Sequence, residues 1–276
     1  MPPAPVTTRY TGLPSQPIWS PDGKNLLYIS RRSSVGPGNN ILMIRSAETG
    51  EERFLSPRLR FVNQPSWAPD GLSIIALGIT MGMETGIFRI DTETSGITKL
   101  ADGGLFPKLC PDGKTLVFAD GSIIWKRNID TGEESVGVKV GTEVLNSYDD
   151  LSPDGQEVVF QKNGTVYTVP LNGGKGRELF RGLAHYSILR WTRDGRYIIA
   201  QALDDKSGKF LQISEIWRIP MQGGTPLKLD LSVPKMEFFT LRPDNRRFAF
   251  SVDEGSKSEL WVLENFLRPS KSAAKQ

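Results

Sequence analysis

The chain of 276 residues contains one cysteine and one histidine. A lone Cys110 excludes an internal disulfide, and with His185 it leaves no Cys/His cluster at zinc spacing. Because Cys110 stands where other repeats carry small or polar residues, it is expected to pack rather than react. Long apolar runs are also missing. The longest uncharged apolar stretch, residues 71–83, is too short to span a bilayer and holds Gly and Thr. The opening Met1-Pro2-Pro3-Ala4-Pro5 has neither the basic start nor the apolar core of a signal peptide. Excess charge is lacking as well: 34 basic and 31 acidic residues give a net charge of +3. No Lys/Arg run is longer than pairs such as Arg31-Arg32 and Arg246-Arg247, so no nucleic-acid partner is expected.

The usual catalytic signatures are absent too. No Gly-x-Ser-x-Gly nucleophile elbow and no phosphate-binding Gly-x-x-x-x-Gly-Lys-Ser/Thr loop occur. A Ser-His-Asp triad would have to use His185, with no supporting motif. His185 is expected on a surface loop. A glycosidase-like carboxylate pair stays open, since acids are plentiful. The expectation is therefore a chain that is not an enzyme and needs no metal or cofactor.

What the sequence has is a repeat. Six times an apolar or aromatic residue and a small or polar one precede Pro-Asp-Gly or a close variant. These are Trp19-Ser20-Pro21-Asp22-Gly23, Trp67-Ala68-Pro69-Asp70-Gly71, Leu109-Cys110-Pro111-Asp112-Gly113, Leu151-Ser152-Pro153-Asp154-Gly155, Trp191-Thr192-Arg193-Asp194-Gly195 and Leu241-Arg242-Pro243-Asp244-Asn245. Their Asp residues are 48, 42, 42, 40 and 50 positions apart. A period of about 40–50 residues made of short strands marks a β-propeller blade. The predicted fold is all-β, a six-bladed propeller of four-stranded blades.

Each Pro-Asp-Gly is expected to turn an inner strand into a second strand such as Leu26-Leu27-Tyr28-Ile29 or Ile74-Ile75-Ala76-Leu77. Pro sets φ, Asp accepts from backbone amides and Gly takes the positive φ, so the six Asp residues read as turn chemistry. The continuous apolar runs suit strands covered on both faces. Third strands read Ile-aromatic-x-Ile or similar, as in Ile87-Phe88-Arg89-Ile90 and Ile216-Trp217-Arg218-Ile219, the aromatic packing blade against blade. The third blade's outer strand, near Ser135 and Val140, is the least distinct. The last repeat stops at Leu267 after its third strand. The expectation is that Thr7-Thr8-Arg9-Tyr10-Thr11 supplies the missing outer strand and closes the ring. One domain then fills residues 1–276, its core 7–267, with 1–5 a Pro-rich leader and 268–276 a loose tail.

Trp-Ser-Pro-Asp-Gly, an apolar strand, Ile-aromatic-x-Ile and Thr-Gly together resemble the TolB-type six-bladed propeller, over about residues 7–267. That family includes the periplasmic propeller of the Tol–Pal envelope system. The repeat is also similar to the propellers of tricorn-type and prolyl-oligopeptidase-type peptidases. Its ending, Glu259-Leu260-Trp261-Val262-Leu263-Glu264-Asn265-Phe266-Leu267, resembles C-terminal propellers of bacterial membrane proteins that follow a Ser/Thr kinase or a winged-helix regulator. The resemblance implies a protein- or peptide-binding or sensory propeller of a bacterial envelope or signalling protein, periplasmic or extracytoplasmic. A covalently linked upstream kinase or regulator is one arrangement, and no direct membrane insertion is expected in this segment. The alternatives are a free-standing TolB-like protein engaging a lipoprotein and the gating propeller of a peptidase.

Binding residues are expected on the end carrying the second-to-third connections, where loops on a rigid scaffold vary most. Those of blades three and four are tight, at Asp120-Gly121 and Asn163-Gly164. Residues 204–214, 253–258, 31–40 and 78–85 form longer ones in blades five, six, one and two. Arg31, Arg32, Arg58 and Arg60 are expected to form a basic patch near blades one and two. Tyr148, Tyr186 and Phe238 precede inner strands and are placed at the channel mouth. One column of the inner strands is unusual: Ile18, Ser66, Lys108, Asp150, Arg190 and Thr240. Lys108, Asp150 and Arg190 fall on consecutive blades, where charge is costly unless paired or wetted. Two readings stay open, a structural Lys-Asp-Arg relay and a channel site for an anionic ligand or a partner's carboxylate.

Overall fold

The computed structural model describes residues 4–6, 13–31, 40–140, 150–183, 187–203, 214–233, 235–253, 258–264 and 266. All regular structure in these residues is β, in six antiparallel four-stranded sheets. Blade one holds β2 (Leu13–Trp19), β3 (Asn25–Arg31), β4 (Asn40–Ser46) and β5 (Glu52–Leu55). Blade two holds β6 (Leu59–Trp67), β7 (Ser73–Thr80), β8 (Thr85–Asp91) and β9 (Ile97–Ala101). Blade three holds β10 (Leu105–Leu109), β11 (Thr115–Asp120), β12 (Ile123–Asn128) and β13 (Glu134–Lys139), so the indistinct outer strand is present. Blade four holds β14 (Asp150–Leu151), β15 (Glu157–Lys162), β16 (Thr165–Pro170) and β17 (Arg177–Arg181). Blade five holds β18 (Ser187–Trp191), β19 (Tyr197–Leu203), β20 (Ser214–Pro220) and β21 (Leu227–Val233). Blade six holds β22 (Met236–Leu241), β23 (Arg247–Asp253) and β24 (Ser258–Glu264), completed by β1 (Ala4–Val6).

The ring therefore closes with an N-terminal strand, but that strand is Ala4–Val6, with Pro5 opposite Trp261. The expected segment Thr7–Thr11 lies outside the described residues, and part of the supposed leader does the pairing. Pro is tolerated because β1 is an edge strand, where a missing N–H costs no ladder bond on the open side.

Second strands are apolar throughout because each face serves a different neighbour. Leu27 and Ile29 join an apolar cluster with blade two, while Leu26 and Tyr28 join one with blade six. Val117 and Ala119 face blade four, and Leu116 and Phe118 face blade two. Among the described residues there are six such clusters, and each bridges one pair of adjacent blades. The core is thus six slabs between sheets rather than one centre. Phe88, Trp125, Tyr167, Trp217 and Trp261 each pack into one slab, as their spacing predicted.

The six turns behave as their composition dictates. Each Asp accepts the amide two residues on, from Lys24, Leu72, Lys114, Gln156, Arg196 and Arg246 at 2.8–3.1 Å. The five turn glycines have φ of 67–74°, and Asn245 takes the same region at 55°. Asp22 and Asp154 lie below the usual carboxylate value, first because the Ser20 and Ser152 hydroxyls donate to them and then because backbone amides do.

A depressed folded value means that this stabilisation is complete above the unfolded carboxylate value and is lost as pH falls through the folded one. Urea-denaturation free energy is therefore expected to decline as pH drops below about 4. The double variant S20A/S152A should show a shallower decline, and an unchanged slope would refute the assignment. Removal of residues 1–6 bares the edge of β24. A lower urea midpoint and self-association on gel filtration are expected, and an unchanged midpoint would show that β1 does not close the ring.

Candidate functional site

The innermost strands β2, β6, β10, β14, β18 and β22 surround the central channel. The column singled out in the sequence makes a contact at every junction of the ring. Between blades one and two the Trp67 indole N–H donates to the Ile18 carbonyl at 3.1 Å. Between two and three the Ser66 hydroxyl donates to the Pro107 carbonyl at 2.7 Å. Between three and four the Lys108 ammonium is ion-paired with Asp150. Between four and five Asp150 Oδ2 accepts the Trp191 amide at 2.9 Å. Between five and six the Arg190 guanidinium lies 5.9 Å from the centre of the Phe239 ring. Between six and one the Trp19 amide donates to Thr240 Oγ1 at 3.4 Å.

Lys108 and Asp150 are thus brought together, with side chains 24% and 14% exposed. Arg190 is turned toward the Leu189 carbonyl, to which it donates at 2.8 Å, and toward blade six. Phe238 is half-buried on β22. Arg58 and Arg31 are exposed and Arg60 half-buried. Arg58 and Arg60 flank Leu59, which pairs with Thr80 at the end of β7. Arg31 pairs with Asn40, whose side-chain amide donates to the Val62 carbonyl at 2.9 Å, so the three arginines share the junction of blades one and two. Arg32, Tyr148, Tyr186 and His185 lie outside the described residues. So do most of the raised loops, except in blade two, where β7 and β8 extend to leave only residues 81–84 as the turn. Met81 and Met83 at its tip are 70% and 62% exposed. The blade-three turn is Gly121-Ser122, one residue later than expected.

One polar array escaped the sequence reading. β2 and β6 each contain Gln-Pro, and β10 has Phe-Pro at the same place. The residue before each Pro takes positive φ, 50° at Gln16, 49° at Gln64 and 54° at Phe106, and the ladder slips there. The bulges of β6 and β10 turn a backbone amide away from its own sheet and toward the preceding blade. Gln16 Oε1 accepts the Gln64 amide at 3.1 Å, and Gln64 Oε1 accepts the Phe106 amide at 2.8 Å. Gln16 Nε2 donates to Asn63 Oδ1 at 2.8 Å. The available signal was the repeated x-Pro three and two residues before the Trp or Leu.

Two cavities open at the other end, among the turns. One, of about 400 Å³, lies between blades three and four and is lined by Asp112, Lys126, Glu133, Asp154 and Asn172. The other, of about 550 Å³, lies beside β1 over Trp19 and Leu26. Burial pushes the Cys110 thiol up to about 12, so it is an inert packing group at the edge of the first cavity.

No family model matches the chain. TolB from Acinetobacter baumannii superposes with a TM-score of 0.69 at 18% identity, over 88% of this chain and 62% of that one. The chain has the TolB-type propeller fold. Oligogalacturonate lyase from Vibrio parahaemolyticus superposes with a TM-score of 0.60 at 12% identity, covering 94% and 92% of the two chains. In sequence, 154 residues, 55% of this chain, are 33% identical to a Bacillus subtilis protein described as an uncharacterized peptidase, YuxL. The chain spans only 22% of that relative's length. The likeness to YuxL overturns the expectation of a chain outside enzyme chemistry, since that sequence relative is described as a peptidase.

Asp150→Ala would remove the carboxylate paired with Lys108 and the acceptor of the Trp191 amide. A loss of about 2–4 kcal/mol in urea denaturation is expected. Lys108→Met should cost less, because Asp150 keeps two backbone donors. Equal effects from the two changes would contradict this hierarchy.

Proposed function

We propose that this propeller binds extended peptide segments at the mouth of its channel and on the surrounding second-to-third loops, as the substrate-handling portion of a peptidase-type protein. The observation that carries this reading is the 33% identity over 154 residues to a protein described as a peptidase. The surface supports it. Met81 and Met83 present flexible, polarisable apolar side chains at a loop tip, and Met is suited to adaptable binding surfaces. Arg58 and Arg60 stand beside that tip through the pairing of Leu59 with Thr80. An extended segment with apolar and acidic side chains matches such a surface.

A second reading, a TolB-like envelope module that engages a folded protein partner, is favoured by the TM-score of 0.69 with TolB. No helix among the described residues is long and apolar enough to cross a membrane.

The two readings separate on a cellulose array of acetylated decapeptides. The peptide reading expects a subset to be retained, with retention reduced at least fivefold by M81S/M83S. Both methionines are exposed, so the fold should tolerate that variant. Retention of no peptide, or unchanged retention by the variant, would overturn the reading and leave the folded-partner alternative.

A further inference from the structure

The bulges of β2, β6 and β10 have a chemical consequence at the channel wall. A backbone N–H can only donate, so the amides of Gln64 and Phe106 fix which atom of each partner side chain is the oxygen. The orientation of both glutamines follows without appeal to any other contact. Gln16 then directs Nε2 to Asn63, which fixes Asn63 with Oδ1 as acceptor. Every carbonyl oxygen of the three side-chain amides is engaged within the protein.

The nitrogens are not. Gln16 Nε2 uses one of its two hydrogens. Asn63 Nδ2 and Gln64 Nε2 donate to nothing among the described residues. Five N–H groups therefore remain, one from Gln16 and two each from Asn63 and Gln64, on side chains that are half-buried on the innermost strands. Lys108 lies on the next innermost strand, and the one carboxylate of the inner column, Asp150, already uses both oxygens on Lys108, Leu151 and Trp191. The wall of blades one to three thus offers these five side-chain N–H donors.

We infer that this amide array is a carboxylate-binding subsite within the channel. The inference rests on the peptide-binding reading and specifies what part of the peptide is recognised. A carboxylate brings about four lone-pair sites and no donors, the complement of this wall. Hydrogen bonds to a charged acceptor are roughly twice as strong as neutral ones, which favours it over a peptide carbonyl. The strained backbone is consistent with a purpose beyond packing, since bulky residues with positive φ persist only where the surroundings hold them. The carboxylate is an acidic side chain or a chain terminus, and both present the same two oxygens.

Three probes distinguish these sources in calorimetric titration of the intact chain at low salt. Acetyl-pentaglutamate amide carries side-chain carboxylates only, acetyl-pentaalanine with a free end carries a terminal one only, and acetyl-pentaglutamine amide carries none. Binding of the first or the second, but not the third, is expected. The variant N63D/Q64E keeps the acceptors for Gln16 Nε2 and the Phe106 amide but replaces the free donors with anionic oxygens. It should weaken binding of the preferred probe at least tenfold. The single variant Q64E, checked by near-ultraviolet circular dichroism and thermal midpoint, should do the same in part and guards against simple misfolding. Equal binding of all three probes, no binding of any, or unchanged affinity in a folded Q64E chain would overturn the inference. If array peptides are still retained while carboxylates give no advantage, the subsite fails and the peptide-binding reading survives.

Discussion

Each blade has two apolar faces, and everything else in the molecule follows from covering both. A sheet such as blade one sends Leu27 and Ile29 to one neighbour and Leu26 and Tyr28 to the other. Removed from the ring, it would expose both sets to water at roughly 25 cal/mol per Å² of apolar surface. No blade can be first or last, so the chain must return to its starting point. β1 does this by adding one strand to a sheet otherwise made from the other end of the chain. The single slab formed by blades six and one, around Trp19, Tyr28, Met43 and Leu260, is what that strand secures.

The same constraint explains which features were readable in the sequence. Turn chemistry and short continuous apolar runs are local, so the six Pro-Asp-Gly-type turns, the second strands and the third-strand aromatics were all legible from neighbouring residues alone. The closing strand was not. A segment with Pro5 reads as unstructured when its partner, 256 positions away at Trp261, is unknown. The edge position that makes Pro acceptable is a tertiary fact. The glutamine bulges were hidden for a related reason. Non-glycine residues rarely take positive φ, and nothing in Gln16-Pro17 or Gln64-Pro65 predicts it without the neighbouring blade's side chain to receive the displaced amide. Blade two's loop read as long because Gly78 and Gly86 resemble turn residues, whereas they pair with each other across β7 and β8. There the ring of Phe88 and the backbone of β9 come close enough to exclude larger side chains.

The two ends of the ring are built differently. At the turn end, the same Asp bond recurs six times, with Gly in five turns and Asn245 in the sixth, and further bonds tie neighbouring blades together. Arg242 Nε reaches the Gly23 carbonyl at 2.9 Å, Arg177 the Met221 carbonyl at 2.6 Å, and Lys126 Nζ the Asn172 side chain at 2.7 Å. A surface committed to so many internal bonds has little freedom to change. The opposite end carries connections of unequal length and the exposed Met81 and Met83, so variation there leaves the slabs undisturbed.

Within the channel, structure and recognition compete for the same groups, and the outcome differs from side to side. On the side of blades four to six, junction contacts engage both oxygens of Asp150 and draw the Arg190 guanidinium onto Phe239. On the side of blades one to three, the junctions are made by oxygens: the Ile18 and Pro107 carbonyls and those of the two glutamines and Asn63. Each side-chain oxygen so engaged fixes the orientation of its amide. The wall of blades one to three is thus closed through neutral carbonyl oxygens, and that of blades four to six through the charged side chains of Asp150 and Arg190.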